Sequence, residues 1–204
     1  MNTSTNVRLN DVLVLYFSRH GSIANMAQLI ARGIESIPNC QARIRTVPAV
    51  SVVNEATADR IPDHGAPYVS YEDLVQCSGI ALGSPSYFGN MAADLKHFID
   101  GSTNSWLSGS LSGKPACLFT ASSSQHGGQE STLLSMMLPL FHHGAIIVGL
   151  PYSESELMTT NAGGTPYGAS HWTGPDNDQV ITEQEKALCI ALGKRLASCA
   201  VKLA

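Results

Sequence analysis

The most constraining feature of this chain is an apolar run near its start, Val12-Leu-Val-Leu-Tyr16, with no polar residue at alternate positions. A strand solvated on one face alternates apolar and polar side chains. An unbroken run of this length is how a strand buried on both faces reads, and such strands belong to parallel sheets covered by helices on two sides. The next residues fit that reading. Polar residues 18–22 give way to Met26, Leu29, Ile30, Gly33 and Ile34, which recur at helical spacing. Residues 42–47, 79–82, 116–119 and 145–148 are further strand candidates. Helices are expected at 133–141 and 183–203, with another whose face carries Met91, Leu95, Phe98 and Ile99. Residues 71–75 read as a helical turn. Residues 48–69 show no strong periodicity and read as a long loop, and 159–178 as a Gly/Pro/Asn-rich connection. Strands alternating with helices imply right-handed βαβ units. The expectation is therefore an α/β protein: one doubly wound domain over residues 7–204, with a five-stranded parallel sheet in the order 2-1-3-4-5 and helices on both faces.

Composition narrows the function classes. The apolar fraction of 44% supplies a full core, and the net charge of −4 argues against a nucleic-acid partner, which needs a basic face. Charged residues make up only 14%, which leaves neutral surface and favours an oligomer. No apolar stretch is long enough to span a membrane, and the polar start of the chain lacks a signal core, so a cytoplasmic protein is expected. The five cysteines are scattered without CxxC spacing, which reads as buried reduced thiols. No metal site is expected: His142 and His143 are adjacent, so on a helix they point about 100° apart and cannot share one ion.

Ligands of doubly wound sheets bind outside the carboxyl ends of the strands. Three polar loops come after the first, third and fourth strand candidates, which are neighbours in the expected order. The first is Ser18, Arg19, His20, Gly21, Ser22 and Ile23, leading straight into a helix, where hydroxyls, backbone N–H groups and the helix dipole would hold a phosphate. It is neither GxGxxG nor GxxxxGK[ST]. The second is Pro85, Ser86, Tyr87, Phe88 and Gly89. Aromatic residues in a Gly/Pro turn suit the stacking of a flat ring. The third is Thr120, Ala121, Ser122, Ser123, Ser124, Gln125, His126 and Gly127, which offers many short donors. Taken singly, each loop also reads as an ordinary cap, an apolar plug or a surface loop.

Four segments in order lift the ambiguity: Gly83-Ser-Pro-Ser-Tyr-Phe-Gly-Asn-Met91, His126-Gly-Gly-Gln-Glu130, His142-His-Gly144 and Gly163-Gly-Thr-Pro-Tyr-Gly168. Together they resemble the WrbA-type NAD(P)H:quinone oxidoreductases, a flavodoxin-like family, from about residue 12 to the end of the chain. The resemblance implies FMN as cofactor, NADH or NADPH as reductant, two-electron reduction of small-molecule quinones by ping-pong hydride transfer, and a homotetramer with active sites at subunit junctions. It implies that the first loop holds the flavin phosphate, that Ser86, Tyr87, Phe88 and residues 120–127 contact the flavin, and that His142 both touches the flavin rim and serves catalysis. Trp106 and Tyr152 match substrate-pocket positions. His20 stands where relatives often carry a tyrosine near the nicotinamide nucleotide. Ile23 stands where electron-carrier flavodoxins end their phosphate loop in Thr. The alternative is a non-enzymatic flavodoxin-like electron carrier or a regulatory binding protein. Carriers are typically smaller and more acidic, and lack segments like those around Trp106 and Gly163.

Overall fold

A computed structural model describes residues 9–50 and 65–204. The polar start of the chain, positions 7 and 8 of the expected domain and most of the expected loop 48–69 lie outside the described residues. The elements run β1 (Asn10–Tyr16), α1 (Ser22–Glu35), β2 (Cys40–Thr46), α2 (Tyr71–Gln76), β3 (Gly79–Pro85), α3 (Ala93–Asp100), α4 (Thr103–Leu107), β4 (Pro115–Ser122), α5 (Gln129–His142), β5 (Ile146–Ile147), α6 (Glu156–Thr159), β6 (Ala169–Trp172) and α7 (Glu183–Leu203).

The sheet is parallel, in the order β2-β1-β3-β4-β5, as the alternation of elements predicts. The fifth position differs from that expectation, because two short strands share it. β5 pairs with Pro115 and Ala116 at the start of β4, and β6 pairs with Phe119 to Ser122 at its end. Between them the chain leaves the sheet, makes α6, and returns. The sequence Ala-Ser-His-Trp hides β6, because it lacks the β-branched apolar run that marks a strand. Its pairing comes instead from the ladder with β4 and from buried polar partners.

Successive residues of β1 point to opposite faces, and each face has its own core. Val12, Val14 and Tyr16 pack with Ile23, Met26, Ile30 and Ile34 of α1 and with Leu188, Leu192 and Leu196 of α7. Leu13, Leu15 and Phe17 pack on the other side with Leu74, Leu95, Leu133, Met136 and Leu140. The strand lacks alternation because both of its faces are interior. Four cysteines are buried and Cys199 is partly so, as expected of scattered thiols.

Helices α1 and α7 lie side by side on one face and touch backbone to backbone at two glycines. A Cβ on Gly33 would lie 2.1 Å from the Ile190 carbonyl oxygen, and one on Gly193 would lie 2.1 Å from the Ile30 carbonyl oxygen. The contact is reciprocal, so neither helix can yield without moving the other. Gly193→Ala should therefore lower stability by about 1–3 kcal/mol, the usual cost of overpacking a filled interface, despite alanine's better helix propensity. Denaturant unfolding measures this; an unchanged or raised midpoint would show that the helices separate freely.

Candidate functional site

The loops after β1, β3 and β4 meet at the carboxyl ends of the strands and enclose a cleft of about 210 Å³. Of the residues expected there, Ser18, Arg19, His20, Ser22 and Ile23 of the first loop, Pro85, Ser86 and Tyr87 of the second, and Ala121, Ser122 and Ser123 of the third line it. Thr173 and Asn177, from the segment after β6, supply a fourth wall that the sequence did not reveal.

One end of the cleft is the start of α1. Gly21 caps the helix in the left-handed region at φ +93°, and its N–H donates to Ser18 Oγ at 3.2 Å. No side chain caps the helix, and its first turn carries no acidic residue. Among the described residues, the N–H groups of Ser22, Ile23 and Ala24 have no acceptor. Three unpaired donors at the positive end of a fourteen-residue helix form an anion site. The Ser18 and Ser22 hydroxyls border it.

The second loop turns tightly. Tyr87 and Asn90 exchange backbone hydrogen bonds at 2.8 and 3.0 Å, with Phe88 at φ +51° and Gly89 at φ +74° between them. Two consecutive positive φ values make a type I′ turn, which a phenylalanine adopts only at a cost. Its ring stands fully in solvent beside the cleft. Inside, the Arg19 guanidinium lies 5.7 Å from the centre of the Tyr87 ring. Ser86 braces the second loop against the third: its hydroxyl donates to the Gly127 carbonyl at 3.0 Å and accepts from Thr132 Oγ1 at 2.8 Å. Several expected contacts act in this structural way and do not line the cleft. Thr120 is fully buried and donates to the Ser84 carbonyl at 2.8 Å, the Ser124 carbonyl accepts from Ser122 Oγ at 2.7 Å, and Gln125 donates to the Asn161 carbonyl at 3.0 Å. His126 is exposed and lies outside the cleft wall.

The fourth wall hangs on one carboxylate. Glu185 Oε1 accepts from the N–H of Gly163 at 2.8 Å and of Trp172 at 3.1 Å, and lies 3.1 Å from His171 Nδ1. Its Oε2 accepts from Thr182 N–H and Oγ1 at 2.8 and 3.0 Å, forming the capping box of α7. Glu185 and His171 are each only 1% exposed. Burial pushes the Glu185 carboxyl up, but the hydrogen bonds from His171 and Thr182, the His171 charge and the Trp172 N–H together outweigh it and hold the carboxyl at about 2. From this anchor the chain reaches the cleft: Thr173 N–H donates to the Ser122 carbonyl at 2.9 Å, and Trp172 Nε1 donates to the Ser123 carbonyl at 3.1 Å.

His142 and Trp106 fall elsewhere. His142 ends α5, thirteen residues beyond Gln129, or about 20 Å along the helix axis from the cleft end. Trp106 lies in α4, whose preceding Ser102 Oγ is 3.0 Å from His143 Nε2. Both therefore sit at the end of the sheet where the strands begin, exposed to solvent. Tyr152 is also exposed and does not line the cleft.

A parallel 2-1-3-4-5 sheet with a bare helix N-terminus at its switch point defines a flavodoxin-like protein. The model of the NADPH-dependent FMN reductases matches residues 11–156, and the chain belongs to that family. A relative from Geotalea daltonii named "NAD(P)H dehydrogenase (quinone)" is 38% identical over 94% of this chain and 97% of its own. One of the same name from Solidesulfovibrio magneticus is 35% identical over 95% and 98%. Among solved structures, a WrbA-like flavodoxin from Agrobacterium tumefaciens superposes with a TM-score of 0.69 at 21% identity, covering 96% of this chain and 99% of its own. Flavodoxin 1 of Bacillus cereus gives 0.60 at 17%, covering 93% and 98%.

The Glu185 anchor has a pH signature. A carboxyl held at about 2 against an ordinary 4.5 contributes stability that is complete above the ordinary value and is lost as pH falls towards 2. Glu185→Gln should destabilise the protein at neutral pH, by roughly 3–5 kcal/mol if His171 is left without its partner. It should also flatten the fall in stability between about pH 4.5 and 2. Unfolding curves at stepped pH check this; a variant whose acid profile matches the parent's would remove Glu185 from that role.

Proposed function

We propose that the protein holds FMN in the cleft beside residues 18–23 and carries two electrons from NADH or NADPH to quinones. The observation that carries this reading is the uncapped start of α1. Its unpaired N–H groups fit a phosphate, and the lining donors of the third loop fit the polar edge of a flavin. Family membership and the names of the relatives support the same activity. When bound, the flavin would supply the two-electron redox chemistry. The chain supplies position and environment. Ser18, Ser22 and the α1 amides hold the phosphate, Tyr87 borders the ring, and Ser122, Ser123 and Thr173 close the polar side. On this reading reductant and quinone would take the same place in turn, in a ping-pong cycle.

The placement of His142 and Trp106 favours a shared site. They lie far from the cleft of their own chain, so they serve catalysis from a neighbouring subunit, His142 by hydrogen-bonding a quinone oxygen or the flavin rim, and Trp106 as an apolar wall. Tyr152 joins them at the substrate pocket. Leu134, Leu138 and Phe141 form an exposed stripe at i, i+4 and i+7 of α5, and Trp106, Leu107 and Ile146 are exposed as well. A homotetramer would cover it. The protein acts in the cytoplasm on this reading. None of the described helices is long and apolar enough to cross a membrane, and the charge balance does not suit nucleic acid.

Acid extraction of the purified protein should release FMN. Ser18→Ala with Ser22→Ala should weaken its binding by about 1–3 kcal/mol. Recovery of FAD alone, or of no flavin, would overturn the cofactor assignment. Light scattering should report about four subunits. His142→Ala should then slow quinone reduction by on the order of 10²-fold while FMN stays bound, with parallel double-reciprocal lines for nucleotide and quinone in the parent. A fully active monomer would refute the shared site.

A further inference from the structure

A second, larger groove of about 460 Å³ adjoins the cleft and shares His20, Ser22 and Asn177 with it. It therefore begins where the flavin phosphate would sit and runs away from it along the outer flank of α1. That volume is within the range of roughly 300–1,000 Å³ typical of small-molecule sites.

Its walls are of two kinds. Asn25, Gln28 and Arg32 recur along α1 at i, i+3 and i+7, so their side chains lie along one face of the helix. Arg32 stands about 15 Å from Ser22 at the helical rise of 1.5 Å per residue. It has no acidic partner among the described residues. Lys186 of α7 adds a second cation and is paired only with exposed Glu183. Leu29 of the same helix joins Val180 and Ile181, which precede α7, in an apolar strip beside the amide row, and Val180 is largely exposed. Asp178 adds a carboxylate to the lining.

A groove that opens beside the flavin phosphate site and offers amides, an apolar strip and cations further on matches one class of ligand. A purine ring would lie on the strip, ribose hydroxyls would meet the amides and Asp178, and a phosphate would pair with Arg32 or Lys186. We infer that this groove is a binding site for an adenosine phosphate, contiguous with the flavin cleft. This rests on the flavin reading proposed for the cleft. The adenosine phosphate has two sources, the nicotinamide nucleotide or the AMP half of FAD, and both present the same chemistry to these residues.

The test titrates ADP and 2′-AMP into the FMN-loaded protein by calorimetry and compares Arg32→Ala. Binding should occur in the parent and weaken by about tenfold in the variant, as expected for one charged hydrogen-bonding partner, at equal FMN affinity. A matching rise in the KM for NADH or NADPH assigns the groove to the reductant, and a larger effect for NADPH places its 2′-phosphate at Arg32. Loss of FAD affinity with FMN affinity retained assigns the groove to the larger flavin. No heat with either nucleotide, or binding that Arg32→Ala and Lys186→Ala leave unchanged, overturns the proposal. The calorimetry needs no turnover, so a protein that binds FMN but reduces no quinone would fail the functional reading and still report on the groove.

Discussion

The architecture depends on β1, β3 and β4 being interior on both faces. A strand buried on two sides needs helices above and below it, and a parallel pairing needs each connection to cross from one end of the sheet to the other. Those two requirements put α1 and α7 over one face and α2, α3 and α5 over the other, and bring the loops after β1, β3 and β4 to one rim. The site is a by-product of that geometry. No residue of the phosphate loop has to be placed by its own contacts alone. β1 fixes where the loop leaves, and the α1 and α7 contact through Gly33 and Gly193 fixes the direction in which the helix dipole points.

The rest of the site is held differently. The segment carrying Thr173 and Asn177 comes after a short strand with little apolar content, and it is fastened by a buried carboxylate rather than by side-chain packing. Glu185 gathers donors from three separate stretches of chain, around Gly163, around Trp172 and at Thr182, onto its two oxygens. A buried charge is costly unless fully hydrogen-bonded. Here that requirement fixes the arrangement, since moving any of the three stretches would leave the carboxylate short of a donor.

The fold was legible because it is written in local patterns. The apolar run of β1, the helical spacing after it and the long closing helix each declare themselves within a short window. The three loops were legible for the same reason, as polar Gly/Ser segments in fixed positions after strands. What stayed hidden depends on long-range pairing. β6 reads as a loop because Ser170 and His171 are polar, and only the ladder with Phe119 to Ser122 makes them a strand. Thr173 and Asn177 carry no motif at all. Gln125 and Thr120 look like ligand donors in sequence, yet they donate to the protein's own backbone, and Ser124 offers its carbonyl to the Ser122 hydroxyl. Only family resemblance marks His142 and Trp106, and the single chain places both at the far end of the sheet, where no property of their neighbours in sequence would have put them.

The division of the fifth sheet position into β5 and β6 also bears on solubility. An exposed edge strand offers a row of free N–H and C=O groups that a second molecule can extend. In this protein that edge is broken into pieces of two and four residues, separated by an excursion that leaves the sheet plane. Neither piece is long enough to template a stable foreign strand. The opposite edge, β2, is a continuous seven residues, and its Arg43 and Arg45 are engaged by Asp11 and Asp73 of the same chain. The insertion that completes the cleft thus also removes one of the two places where copies of this sheet could join edge to edge.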